Sequence, residues 1–421
     1  MDTQEFVYRR GVLACENVEL PYVADRYGTP AYVYSRNAIV SRFRGYDAAL
    51  DGTPHRICFA VKANSNLGVL SVLVRERAGF DIVSGGELYR VLAAGGDATT
   101  VVFSGVGKTE QDIEYALQSG IHSFNCESEI EIETISRIAR QCGKTASIAL
   151  RVNPDVDAAT HPYISTGLRE HKFGVDINAA EAIYERVSQF PGIRAEGVSC
   201  HIGSQILDLD PLLEAADRVV ALVSRLRARG HSIRYIDLGG GLGVPYRPTD
   251  RSIDTGFLVQ ELRRIIEGSN LELLLEPGRS IVAESGVLLT RVLLVKRNGS
   301  KTFVITDAGM NDLIRPSLYQ AHHEIVPVVR DGSRPTDKVD VVGPVCETGD
   351  FFARDRDLES VRVGDLLAIR TVGAYGFVLA SNYNSRPRPC ELLIDGSRIH
   401  ETRKREGMAD LVRGESVITD E

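Results

Sequence analysis

The stretch VVFSGVGKTEQDIEYALQSGIHSFNCESEIEIETISRIARQCGKTASIALRV (101–152) decides the reading of the fold. Three short β-branched runs, VVFS (101–104), HSFNC (122–126) and SIALRV (147–152), alternate with longer segments that carry apolar residues at helical spacing. ESEIEIETISRIARQCG (127–143) shows that spacing and then ends in Gly, the usual helix stop. Working outward, the same rhythm continues on both sides. RICFAV (56–61) and FDIVS (80–84) precede it, and EGVSCH (196–201), YIDLGG (235–240) and LELLLE (271–276) follow, with DPLLEAADRVVALVSRLRARG (210–230) as a further amphipathic helix. Eight βα units in series predict a parallel (β/α)8 barrel, a TIM barrel of the α/β class. A doubly wound open sheet is the competing layout.

Beyond about residue 280 the texture changes. VLLTRVLLVKR, TFVITDAG, HEIVPVV, KVDVVGP and DLLAIRTVGAY are strand-like runs punctuated by Gly, Asp, Pro and Ser, with hardly any long helical pattern. They predict a separate C-terminal β domain, sandwich- or barrel-like. The first thirty residues lack a βα rhythm and run into a strand-like PAYVYS just before the barrel, so they could pair with either part. The expected division is 1–30 as an N-terminal segment joining the β domain, 31–280 as the barrel, and 281–421 as the β domain.

The chain has 421 residues, 43% hydrophobic and 25% charged, which is enough for a large core and excludes disorder and collagen-like repeats. A net charge of -8 without a basic block argues against nucleic acid as a partner. The most apolar run, VLLTRVLLV (287–295), is broken by Arg291 and is about half the length a bilayer span needs. MDTQEFVYRR at the start has no apolar run before a small-residue cleavage site, so no secretory signal is read. Seven scattered cysteines without a CxxC pair fit a reducing cytoplasm rather than a disulfide framework or a zinc site.

Two glycine-rich strings are decoys. SGVGKT (104–109) ends like a phosphate-binding loop, but Val102 stands where that motif requires Gly. GGGLG (239–243) lacks the third glycine of a dinucleotide fingerprint, since Val244 takes its place. His322, His323 and Glu324 do not have the spacing of a metal site, and no metal is expected. More telling is where polar residues fall against the strands. Lys62 ends strand one, Asp81 and Ser84 sit in strand two, His201 ends strand six, the glycine loop ends strand seven, and Glu276 to Arg279 end strand eight. In a barrel these gather at the C-terminal mouth, where βα loops build active sites.

A lysine held in a partly desolvated pocket can form a Schiff base with an aldehyde, and pyridoxal phosphate is the aldehyde that uses this arrangement most. Backbone N–H groups of the Gly239–Gly243 loop and Gly278 suit its phosphate. Glu276 suits its protonated ring nitrogen, and His201 could stack on the ring face. Such a site would stabilise a carbanion at the α-carbon of an amino acid.

The strings themselves carry a resemblance. FAVKANSN (59–66), FDIVSGGEL (80–88), RVNPDVDAATHPYISTGLREHKFG (151–174), HIGSQI (201–206), DLGGGLGVPY (237–246), EPGR (276–279), GPVCETGD (343–350) and GAYGFVLASNYNSRPRP (373–389) stand in the order of the diaminopimelate decarboxylase family. That family belongs to the fold-type III, alanine racemase-like pyridoxal phosphate enzymes. The resemblance implies a barrel followed by a β domain that takes in the N-terminal segment. It also implies Lys62 as the Schiff-base lysine, His201 on the ring face, and Ser204, Gly241, Gly278, Arg279 and Tyr375 on the phosphate, with Asp81 and Gly240 also in the cofactor site. Glu276 would pair with the pyridine nitrogen. Arg279, Arg315, Tyr319, Glu347 and Tyr375 match substrate-holding positions, the arginines suiting carboxylates and Glu347 the distal ammonium.

Cys346 matches the proton donor. A free thiol, with pKa near about 8.5, is mostly protonated at neutral pH and can serve as an acid. In the family Cys346 and Glu347 reach the site from a partner subunit, which implies a homodimer with shared active sites. The implied reaction removes carbon dioxide from the D-centre of meso-2,6-diaminopimelate to give L-lysine in the last step of bacterial lysine synthesis. His171 and His322 are departures from the family strings, though neither replaces a catalytic position.

Relatives of this fold decarboxylate ornithine, arginine, lysine, carboxynorspermidine or carrier-tethered substrates, and others are racemases or pyridoxal-binding regulators without turnover. Glu347 and Arg315 favour a zwitterionic distal end, and Glu276 favours decarboxylation over racemisation. Retention of Lys62, His201, Glu276 and Cys346 together argues against a regulator.

Overall fold

The computed structural model describes residues 6–156, 172–187, 189–251 and 253–418. Its contacts divide the chain into two units, one of Val40–Pro245 with Arg251–Ile281 and one of Met1–Ile39, Tyr246–Asp250 and Val282–Glu421. Among the described residues of the larger unit, eight parallel strands make the barrel: β1 (His55–Ala60), β2 (Gly79–Ile82), β3 (Val101–Phe103), β4 (Ser123–Cys126), β5 (Ala146–Asn153), β6 (Ile193–Ser199), β7 (Tyr235–Asp237) and β8 (Glu272–Leu275), with the two-residue strand Val175–Asp176 pairing beside β5. Sequential strands pair in parallel from β1 to β8, and β8 returns to β1 with Leu275 opposite Ile57. The sheet is therefore a closed barrel, which excludes the open doubly wound layout. All eight strands lie where the sequence puts them, with edges shifted by three residues or fewer.

Local chemistry explains why each strand gives way to a helix. The βα loops end in polar residues that cap the next helix: Asn66 accepts from the Gly68 and Val69 amides, Ser84 from Glu87, Ser128 from Glu131 and Asp254 from Phe257. Thr109 and Asp112 form a reciprocal capping box at the head of Glu110–Ser119. Inside the barrel, Cys58, Val102, Ala149 and Tyr235 come from β1, β3, β5 and β7 and pack with Leu274. A layer built by alternate strands is how a barrel of this kind fills its interior. Gly197 on β6 makes room for the large member, since a Cβ there would lie 2.2 Å from the Tyr235 ring.

The second unit is mostly antiparallel. Its sheet runs Phe351–Glu359, Thr336–Val342, Lys301–Thr306, Gly286–Asn298, Ala31–Ser35, Cys390–Asp395 and Arg398–Arg403, with Leu366–Ile369 also pairing with Gly286–Asn298 and Ile325–Pro327 pairing with Leu366–Ile369. The PAYVYS run belongs here. Ala31–Ser35 pairs antiparallel with Gly286–Leu289 and parallel with Cys390–Ile394, and all five of its residues are buried. Phe6–Arg9, Val12–Cys15 and Val18–Glu19 form a small meander whose Phe6, Leu13 and Val18 pack with Val33, Leu289 and Leu392. The sequence does not announce Phe351–Glu359 as a strand. Alternating charges interrupt the apolar residues of FFARDRDLE, yet it is an edge strand, with Arg354, Asp355 and Asp357 exposed and Arg356 partly buried.

No helix among the described residues is long and apolar enough to cross a membrane. SGVGKT is a strand-to-helix turn, as read. The Lys108 side chain is fully buried, and its ammonium donates to the Gly105 and Asn125 carbonyls at 2.8 Å and to Glu131 at 2.6 Å. Removing one partner of such a buried pair is costly because the other is stranded. Lys108→Met is expected to lower unfolding free energy by about 3 kcal/mol, measured by chemical denaturation. A loss of under about 1 kcal/mol would mean that this lysine does not hold the loop.

Candidate active site

The barrel brings one group of side chains to the ends of its strands. After β1 the chain enters a tight turn, Val61–Ala63, that carries Lys62 just past the strand rather than within it. Its Nζ lies 2.9 Å from Oδ2 of Asp81, which β2 holds fully buried. Oδ1 of Asp81 is buried without a hydrogen-bond partner among the described residues. Ser84 is not in β2, because it caps the following helix Gly85–Ala93.

Glu276 follows β8. Its Oε1 accepts from Ser104 Oγ at 3.2 Å and from Asn125 Nδ2 at 3.1 Å, and the same amide donates to Asp237 Oδ2 at 2.8 Å. Asp237 closes β7, and its Oδ1 accepts the Gly239 amide at 2.9 Å. Two buried carboxyl groups thus share one amide. Burial first, and then repulsion from Asp237 and Asp81, pushes Glu276 well above the usual carboxylate range, opposed by Lys62. Burial raises Asp237 as well. The Glu276 carboxyl is therefore biased toward its protonated form, a bias that a cation in the pocket would relieve.

His201 lies two residues beyond β6, and its Nδ1 accepts the Gly240 amide at 3.3 Å. Burial, then Arg151 and then Lys62 drive its pKa well below the ordinary imidazole value, so the ring is uncharged. Arg151 on β5 holds the backbone behind it, donating to the His201 carbonyl at 3.3 Å and to Glu127 Oε1 at 3.0 Å. The glycine loop is tight: a Cβ on Gly240 would lie 2.3 Å from the Glu276 carbonyl oxygen, and Gly241 has φ +103. Ser204 Oγ accepts from buried Arg279 at 2.9 Å. Gly278 stands just before Arg279.

These residues fit pyridoxal phosphate. A side-chain-free loop with Ser204 and Arg279 suits a phosphate, Lys62 supplies the amine, and a neutral imidazole suits a ring face. The crowded carboxyl pair Glu276 and Asp237 suits a cationic ring nitrogen, whose charge would relieve it. The partnerless Asp81 oxygen suits one more donor.

The β unit collects a second group. Arg315 and Tyr319 open and close the short helix Arg315–Tyr319. Arg315 is buried, with its guanidinium carbon 4.7 Å from the centre of the Tyr246 ring and Nη1 3.1 Å from Nε2 of His323. Ser317 Oγ ties the helix to the Gly349 carbonyl at 2.5 Å, at the end of GPVCETGD. In that loop Asp350 is the staple, accepting the Met310 and Val345 amides at 2.7 Å each. Cys346, Glu347 and Thr348 project from it exposed, and the Cys346 amide donates to Asn384 Oδ1 at 2.8 Å. Tyr375 sits at φ 55, in a strained left-handed conformation.

Sequence reasoning missed Ser104, Asn125, Asp237, Arg151, Glu127, Tyr246 and His323 as partners. For Ser104, Asn125, Asp237, Arg151 and Glu127 the available signal was a polar residue inside or directly after an otherwise apolar strand; Tyr246 and His323 stand in loops and carried no such signal. His322 is accounted for in part, its Nδ1 meeting the Tyr246 carbonyl at 3.0 Å. His171 and residues 157–170 of the string 151–174 lie outside the described residues.

The model of the family "Pyridoxal-dependent decarboxylase, pyridoxal binding domain" matches residues 36–283. The chain is 55% identical to a diaminopimelate decarboxylase of Pseudomonas aeruginosa, over 99% of this chain and 100% of that protein. Among solved structures, a diaminopimelate decarboxylase from Helicobacter pylori complexed with L-lysine superposes with a TM-score of 0.90 at 44% identity, covering 94% of this chain and 98% of that one. One from M. jannaschii, also with L-lysine, gives 0.93 at 35% identity over 99% and 98%.

The uncharged His201 ring sets a pH dependence. Unfolded, it binds a proton as pH falls through about 6.5, whereas the folded ring does not. Stability from this group is therefore complete above that value and is lost below it. Ring-nitrogen NMR of the protein without added cofactor should show His201 uncharged at pH 6. A midpoint at or above about 6.5 would contradict this assignment.

Proposed function

The chain belongs to the diaminopimelate decarboxylase family of pyridoxal-dependent enzymes, and from the two groups of side chains we infer which residues carry out that family's reaction. The reaction removes carbon dioxide from meso-2,6-diaminopimelate at its D-centre and leaves L-lysine, the last step of bacterial lysine synthesis. What supports the residue assignments most is the 2.9 Å pairing of Lys62 with buried Asp81, at the same end of the barrel as a Glu276 carboxyl whose pKa burial raises.

Bound pyridoxal phosphate supplies an electron sink for the pair left at the α-carbon when its bond to the carboxylate breaks. Lys62 would hold it through Nζ, His201 would cover its ring, and Glu276 would keep a proton at the ring nitrogen. Asp81, Ser204, Gly240, Gly241, Gly278, Arg279 and Tyr375 would complete its binding. Arg279 and Arg315 pair with the substrate's carboxylates, Glu347 pairs with the distal ammonium, and Tyr319 and Tyr375 flank it. Cys346 delivers its thiol proton to the α-carbon once carbon dioxide has left.

The exposed Cys346 and Glu347 on a stapled loop support a homodimer in which this loop completes the partner's site. Seven free cysteines support a cytoplasmic setting.

Mass detection of products should show lysine formed from meso-diaminopimelate, with ornithine, arginine and lysine turned over at least roughly 10⁴-fold less efficiently. Comparable turnover of one of these would reassign the substrate. Lys62→Ala should abolish measurable turnover, and Cys346→Ala should lower kcat by about 10²-fold, the usual share of a positioned acid. Full kcat in the Cys346 variant would remove it from the mechanism.

A further inference from the structure

His323 is fully buried, and both of its ring nitrogens are engaged. Nδ1 lies 2.9 Å from the Arg370 carbonyl oxygen, and Nε2 lies 3.1 Å from Arg315 Nη1. A carbonyl oxygen only accepts, so the proton is on Nδ1. A guanidinium only donates, so Nε2 presents a lone pair. The ring is thus the neutral Nδ1–H form, and the chemistry of its two neighbours determines the tautomer. Arg356 donates to the His323 backbone carbonyl at 2.8 Å, fixing the residue from behind. Tyr246 completes the arrangement, with its ring under the Arg315 guanidinium at 4.7 Å and edge-on to the His323 ring at 5.3 Å.

We propose that His323 is a positioning residue for substrate recognition, accepting a hydrogen bond from Arg315 so that the guanidinium fork is set in one plane and rotation for a substrate carboxylate. The proposal rests on the reading that Arg315 holds that carboxylate. A bidentate carboxylate bond needs the fork correctly turned, and a long arginine side chain does not hold one rotation by itself. Tyr246 limits the guanidinium's tilt through its face, and His323 limits its rotation through one edge.

The test is steady-state kinetics of the holoenzyme on meso-diaminopimelate. His323→Phe keeps a ring but removes the acceptor, whereas His323→Gln offers an amide oxygen near the Nε2 position. His323→Phe should raise KM about tenfold while kcat changes less than about threefold, and His323→Gln should return KM to within about threefold of the parent. Arg315→Lys should also raise KM, and adding His323→Phe to it should have little further effect, since the two act through one contact.

If Arg315→Lys leaves KM unchanged, the underlying reading of Arg315 fails and takes the proposal with it. If Arg315→Lys raises KM and His323→Phe does not, the proposal alone fails. Should His323→Phe not fold, as judged by circular dichroism, His323→Gln decides. Parental KM in a folded Gln variant, with KM raised by Arg315→Lys, supports the positioning role. A KM raised tenfold despite the amide oxygen overturns it.

Discussion

The pairing of β8 with β1 is the constraint from which the rest of the barrel unit follows. Leu275 and Ile57 are far apart in the chain, and their strands must meet before the sheet has no open edge. Once they do, the turn after β1 and the loop after β8 are neighbours. Lys62 and Glu276 then share the C-terminal end of the barrel, with β2 bringing Asp81 up beside the lysine. Parallel strands place all their following loops at one end, so a series of unrelated loop residues becomes a single site.

Burial then imposes its own demands on that site. A charged or polar group taken from water must find a partner, and here the partners are shared. The Asn125 amide serves both Asp237 and Glu276, and Arg151 serves both Glu127 and the backbone of His201. Burial also shifts the proton affinity of some of these groups. Burial raises the Glu276 pKa well above the usual carboxylate range and lowers that of His201 well below the usual imidazole value, so the pocket pairs a carboxyl that favours its proton with a neutral ring.

Much of this was legible in the residues because two kinds of signal are local. β-Branched runs alternating with amphipathic segments reveal the eight strands, and polar residues at strand ends point to Lys62, His201 and Glu276. Other features depend on contacts that no local pattern encodes. Nothing near Asn125 says that its amide will bridge two carboxyl groups brought in by β7 and β8. His323 stands beside His322 in a string read only as a false metal cluster, and its role emerges only when Arg315 and Arg370 are seen on its two nitrogens. The strand Phe351–Glu359 is masked by its own charges, because an edge strand tolerates a solvated face.

The central place of Ala31–Ser35 in its sheet bears on how the protein is made. This strand's neighbours are Gly286–Asn298 and Cys390–Asp395, so the second of them leaves the ribosome only after nearly the whole chain has been translated. At about 5–20 residues per second that wait is on the order of tens of seconds. Until Gly286–Asn298 is made, this five-residue strand, destined for burial along its full length, has neither edge covered, and one edge stays open until Cys390–Asp395 follows. Vectorial synthesis thus favours early completion of the barrel and leaves the β unit to assemble from the chain's two ends.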